Sequence, residues 1–137
     1  MADDYQNTAV RMLADANVLK SGGRWFGTCY LSGYVVECYG KIVIEKFSPT
    51  AAASLNHSVR SINRGMLGIS QSIGSIAAKY CLDLSVNCAT IYSHWHPSKR
   101  YANDNAIWNT QAIAEQYFNE AKKALNVITQ MKLDGVI

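Results

Sequence analysis

Glu37 and Lys41 stand four residues apart inside an apolar, aromatic-rich run, Gly33-Tyr34-Val35-Val36-Glu37-Cys38-Tyr39-Gly40-Lys41. On a helix that spacing puts a carboxylate and an ammonium on one face, with the glutamate on the N-terminal side, the better orientation. Two roles are open to the pair. It can shield or register a helix face, or Glu37 can orient Arg100 or Lys41 toward a phosphate-bearing ligand. The second constellation is His57 and Arg60, whose i, i+3 spacing could present an imidazole and a guanidinium to one phosphate. An imidazole carries protons near neutral pH, and a guanidinium grips phosphate with two parallel hydrogen bonds. Capping or a surface role is the alternative, with His57 the one candidate for acid–base catalysis. The third is Trp95-His96-Pro97-Ser98-Lys99-Arg100-Tyr101. Arg100 and Tyr101 precede the last helix. There Arg100 either closes a local turn network with Asp104 or Glu37, or helps Lys99 and the free helix-start N–H groups seat a phosphate. A direct Glu37–Arg100 contact is the expectation that would join the first run to the third. If the runs meet, Lys99, Arg100, Arg60 and Arg64 form one basic patch suited to a nucleotide or RNA backbone.

Other chemistries find little support. His94 and His96 on an extended segment have diverging side chains and supply two ligands, where a zinc site wants three or four, so no metal is expected. Trp95 between them is expected to plug one end of the helical stack, with its indole N–H at the polar rim. No G-x-S-x-G, P-loop or glycine-rich phosphate fingerprint occurs, and no cofactor is implied. The four cysteines, Cys29, Cys38, Cys81 and Cys88, contain no C-x-x-C and read as buried free thiols.

These groups need a scaffold, and the composition allows one. The chain has 137 residues, 49% hydrophobic and 17% charged, which suits a single ordered domain over residues 1–137. The net charge of +3 is too mild to dictate a nucleic-acid partner. No stretch approaches the ~20 apolar residues that cross a bilayer, so no membrane is expected. The acidic, polar start Met1-Ala2-Asp3-Asp4-Tyr5 is unlike a signal peptide, which makes the cytoplasm the expected compartment.

Helical periodicity runs through most of the chain, and alternating β patterns are absent. The first helix is predicted over about 5–21, with Ala9, Met12, Leu13, Ala16 and Leu19 inward and Gly22-Gly23 ending it. A second, over about 24–46, is apolar nearly all round and should be central. Its Gly27, Gly33 and Gly40 lack the side chains that keep helices apart, so a neighbour could approach closely. Ser48-Pro49 opens a third, of unclear extent. A fourth is predicted over about 69–83 with Ile69, Ile73, Ile76, Ala77 and Tyr80 inward, followed by a long connection over 84–103. The last is capped by Asn103 or Asp104 and carries Ile107, Ala114, Phe118, Ala121, Leu125 and Ile128 to about residue 131. The sum is an all-α antiparallel bundle of four to five helices.

The order of these features resembles the HEPN domain family. A long second helix bears Gly33-Tyr34-Val35-Val36-Glu37-Cys38-Tyr39-Gly40-Lys41, His57 opens a later helix, and the Trp95–Tyr101 run precedes a long final helix. The resemblance spans nearly the whole chain, though 60–90 carries no matching motif. It implies a homodimeric helical bundle, often encoded beside a nucleotidyltransferase-type partner in toxin–antitoxin or defence pairs, and acting in nucleotide binding or RNA cleavage. Taken with the spacing of His57 and Arg60, it points to a ligand site drawn from Glu37, Lys41, His57, Arg60, Arg100 and Tyr101. Nucleases of the family carry an arginine followed four to six residues later by histidine. None of Arg11, Arg24, Arg60, Arg64 or Arg100 is so followed. The expectation is therefore a binding or regulatory module for a nucleotide or RNA phosphate rather than an enzyme. The rivals are a metal-independent endoribonuclease using His57 and a purely protein-interacting subunit.

Overall fold

The structure, a computed structural model, describes residues 3–52, 55–73, 75–103 and 105–137, and of residues 73 and 75 the backbone alone. Among the described residues it is all-α, with no strand. The elements are α1 (Tyr5–Ser21), α2 (Trp25–Phe47), α3 (Pro49–Ala52), α4 (Val59–Ile73), α5 (Ser75–Ala78), α6 (Leu84–Asn87), α7 (Ala89–His94), a 3-10 helix η1 (Pro97–Tyr101) and α8 (Gln111–Leu133).

The first two helices begin and end where periodicity and capping residues put them. Asp4 caps α1 by accepting the Asn7 N–H at 3.0 Å. Gly22 closes α1, and Gly23 at φ +74° takes the left-handed turn that sends the chain into α2. Helix α2 packs against α1, α3, α4, η1 and α8, so nearly every side of it is covered. Its glycines make room for neighbours. A Cβ on Gly33 would sit 2.0 Å from the Trp95 Nε1, and one on Gly40 2.0 Å from the Ile62 Cγ2.

The middle of the chain departs from the expected pattern. Helix α4 runs straight through Gly65 and Gly68; a Cβ at Gly65 would sit 3.0 Å from the Ile44 Cδ1, whereas Gly68 faces open space. The helix predicted over 69–83 is instead the end of α4 plus α5. Ile69, Ala77 and Tyr80 are buried as expected, but Ile76 is 71% exposed. The Ile73 side chain lies outside the described residues.

The segment predicted as a connection over 84–103 contains α6, α7 and η1. Their caps explain why. Asp83 accepts the Ser85 N–H at 3.1 Å, and the His96 ring accepts the Ser98 N–H at 3.1 Å. The buried Glu120 on α8 reaches across to accept the Ile91 N–H at 2.9 Å and the Thr90 N–H at 3.3 Å. A cap supplied from thirty residues away leaves no local signature.

The last helix starts later than predicted. Thr110 caps it, accepting the Ile113 N–H at 3.3 Å, so Asn103 does not, and Asp104 lies outside the described residues. Ile107 is partly buried but precedes the helix, because Trp108 at φ 53° breaks the helical phase. Ala114, Phe118, Ala121 and Ile128 are buried and Leu125 packs partly buried against the core.

The far end of α8 is tied down by carboxylate chemistry. Asp134 accepts from the Tyr80 hydroxyl at 2.6 Å and the Gln130 amide at 2.7 Å, and sits 3.3 Å from the Lys79 ammonium. The Tyr80 hydroxyl, then Gln130 and Lys79, hold its carboxyl below the ordinary range. Asp83 is lowered likewise by Ser85 and Asn63, and Asp4 by the Asn7 backbone and side chain. A folded-state pKa below the unfolded value of about 3.9 stabilises the fold above that pH, and the gain is lost as pH falls through the folded-state value. The denaturation midpoint should therefore hold level from neutral pH to about 5 and decline below about 4. Asp134→Asn should shallow that decline. A wild-type midpoint unchanged between neutrality and pH of about 3 would contradict the assignment.

Candidate functional site

Glu37 is the hub of the polar cluster. It lies on α2 and is 5% exposed, yet it is fully engaged. One carboxylate oxygen is 2.6 Å from the His57 Nδ1 and the other 3.7 Å from the Lys41 Nζ. An ionised carboxylate can only accept. Against an ionised carboxylate, Nδ1 is therefore the donor. The ring belongs to the segment just ahead of α4, and its side chain is 56% exposed. Tyr34 stands edge-on to it at 6.4 Å and edge-on to Trp95 at 5.0 Å. Burial, then the Tyr30 hydroxyl 3.2 Å away, pushes the Tyr34 phenol well above its ordinary pKa, so it stays protonated.

The expected Glu37–Arg100 contact does not form among the described residues. The Arg100 guanidinium lies over the Tyr101 ring at 4.8 Å, and the Tyr30 and Tyr101 hydroxyls raise its pKa. Glu37 is paired with His57 and Lys41 instead. Tyr101 is 80% exposed.

Arg60 faces a different space. Its guanidinium lies over the Tyr92 ring at 5.3 Å, at the edge of a cavity of about 490 Å³ between the start of α4, α7, η1, residues 106–109 and α8. His94, His96 and Lys99 add further nitrogen bases and cations to the lining. The two histidines, expected to diverge, share this cavity because α7 ends at His94 and His96 starts η1. Among the described residues no group of three or more metal-capable side chains occurs. Tyr92, Trp95, Trp108 and Tyr117 supply aromatic surface. No carboxylate lines the cavity among the described residues. Such a space can offer cations to a phosphate and ring faces to a planar base. The residues sequence reasoning missed are Tyr92, Trp108 and Tyr117. The capping signal Thr110-Gln111-Ala112-Ile113 would have placed Trp108 outside the last helix.

Trp95 is 4% exposed, and its N–H donates to the Tyr30 carbonyl at 3.0 Å. The indole therefore docks on the α2 backbone across Gly33 rather than sitting at a polar rim. Trp108 is held by its N–H to the Tyr117 hydroxyl at 2.9 Å and by the Phe26 ring at 5.0 Å. Burial pushes the Cys29, Cys38 and Cys88 thiols up to about 12, so near neutrality they are packing groups, not nucleophiles.

Neither the family models nor the curated proteins nor the solved structures with which the chain was compared give a match.

Proposed function

We propose that the protein is a HEPN-like helical bundle acting as a binding or regulatory module for a phosphate-bearing ligand with a planar base, a nucleotide or an RNA end. What carries the reading is the cavity in which Arg60, Lys99, His94 and His96 meet four aromatic rings, with no carboxylate on its described lining. The resemblance of the Gly33–Lys41 and Trp95–Tyr101 runs to the family supports the same ligand class and adds three expectations. These are a homodimer, a nucleotidyltransferase-type partner, and a place in a toxin–antitoxin or defence pair. Light scattering at micromolar concentration tests the dimer.

The ligand is tested by thermal denaturation with AMP, ATP and pyrophosphate. A ligand at a hundredfold excess over its Kd adds about 2.7 kcal/mol to stability. Arg60→Glu should cost at least about tenfold in affinity, the equivalent of 1.4 kcal/mol, by replacing a phosphate-binding cation with a repelling charge. Absence of any shift with all three compounds would count against the reading.

One observation favours the endoribonuclease alternative: the Glu37–His57 pair at 2.6 Å, an imidazole oriented by a buried carboxylate. Against it, His57 does not line the cavity, although Ser58, Val59 and Arg60 do. RNA cleavage by the wild type that disappears in His57→Ala would establish the enzyme. Equal inertness of both would leave the binding module.

A further inference from the structure

Among the described residues Trp108 alone, glycines aside, takes a left-handed φ, at 53°. A bulky side chain is strained there, and the strain persists only where the surroundings hold it. Two aromatic residues do so. The Phe26 ring lies 5.0 Å from the indole, and the Tyr117 hydroxyl accepts the indole N–H at 2.9 Å. Trp108 is 5% exposed and Tyr117 1%, and both line the cavity holding Arg60. Their contact is therefore part of that cavity's wall.

The hydrogen bond between them leaves one group to be placed. An indole N–H only donates, so the phenol oxygen is the acceptor and its own hydrogen is left for a second partner. Burial raises the Tyr117 phenol well above its ordinary pKa, so that hydrogen stays in place near neutrality. No described residue accepts it. A buried donor left without an acceptor is disfavoured, and the cavity is the space in which this one can find its match.

The rest of the lining suits a flat ring held at that hydroxyl. Tyr92, with the Arg60 guanidinium 5.3 Å over its ring, and Trp95 stand in the same wall. A volume of about 490 Å³ falls in the range of small-molecule sites, which are mostly apolar with a few placed polar groups that fix orientation. A site built to hydrogen-bond its ligand rejects an analogue that lacks the matching atom, because the site's own polar group is then stranded. We infer that the Tyr117 hydroxyl selects the ring of the ligand by donating to a ring nitrogen or carbonyl oxygen, so that the cavity takes a nitrogen heterocycle over a hydrocarbon ring of the same shape. This rests on the nucleotide reading above and adds to it the part of the ligand that is recognised and the atom that recognises it.

Calorimetric titration of the full-length chain with AMP and with 1-deaza-, 3-deaza- and 7-deaza-AMP tests it. Each analogue replaces one acceptor nitrogen of the ring by C–H and keeps the shape and the phosphate. At least one should bind the wild type about fivefold or more weakly than AMP, the loss expected when a buried donor has no acceptor. In Tyr117→Phe that analogue and AMP should bind alike, because the discriminating donor is gone. A variant that merely loosened the wall would weaken both ligands together and keep their ratio. Tyr117→Phe also strands the Trp108 N–H. The variant Tyr117→Phe/Trp108→Phe removes both partners and should show the same loss of preference, with circular dichroism to check the fold. Equal affinity of the wild type for AMP and all three analogues, or a preference that persists in Tyr117→Phe, overturns the inference and leaves the nucleotide reading standing. Failure of the wild type to bind AMP overturns both.

Discussion

Gly33→Ala should be the most damaging single methyl group that can be added to this protein. A Cβ there would lie 2.0, 2.1 and 2.2 Å from three atoms of the Trp95 indole. The ring cannot swing away cheaply. It is 4% exposed, edge-on to Tyr34 at 5.0 Å, and donates its N–H to the Tyr30 carbonyl at 3.0 Å. Overpacking a core costs about 1–3 kcal/mol and sometimes more, and orphaning a buried donor adds about 1–3 kcal/mol. Alanine returns about 1 kcal/mol of helix propensity, too little to offset either. The net expectation is a loss of about 3 kcal/mol or more, a fall of roughly 10 °C in Tm for a domain of this size. Urea denaturation of Gly33→Ala beside Gly68→Ala gives the comparison, because a Cβ at Gly68 meets nothing within 4 Å. Gly68→Ala should be neutral or stabilising. A Gly33→Ala protein within about 1 kcal/mol of wild type would mean that Trp95 does not lie against α2 as described.

The same glycines show what could be read from sequence. Tight spacing of Gly27, Gly33 and Gly40 in an apolar helix announces close approach, since only a missing Cβ lets another element sit on the backbone. It does not announce which element, and here the occupants of Gly33 and Gly40 are Trp95 and Ile62. The bounds of α1 and α2 were legible because their periodicity, Gly22-Gly23 and Ser48 are local signals. The stretch 84–110 was not, because its order comes from elsewhere. Glu120 caps α7 across thirty residues, and Trp108 takes a left-handed φ that no propensity forecasts. Basic residues were legible as a group, and Arg60 and Lys99 do share a cavity, but neither Arg64 nor Arg100 lines it. Residue types told which chemistry was on offer, while pairing depended on register. Glu37 was matched with Arg100 on the strength of two motifs, whereas its partner is His57, twenty residues away across the α2–α4 connection.

Glu37 itself yields the second large effect. The carboxylate side chain is 6% exposed and the Lys41 side chain 12%, so the two charges face each other largely out of water at 3.7 Å. Removing one partner of such a pair strands the other, at a cost of about 3–5 kcal/mol. Glu37→Ala should lose about 3 kcal/mol or more, since it also releases the His57 ring and leaves a small cavity on the central helix. Lys41→Met should lose less, because His57 continues to engage the carboxylate at 2.6 Å. Replacing both, Glu37→Leu with Lys41→Met, removes the need for charge compensation and should return to within about 1 kcal/mol of wild type. Denaturant melts of the wild type, Glu37→Leu, Lys41→Met and the double variant close that cycle. A double variant as unstable as the sum of the two single losses would show that the two groups are not energetically paired. The double variant also separates scaffold from function. Neither residue lines the cavity holding Arg60, so its affinity for AMP should match that of the wild type. A drop of tenfold or more, about 1.4 kcal/mol, would instead mean that Glu37 acts on the ligand through His57 and the start of α4.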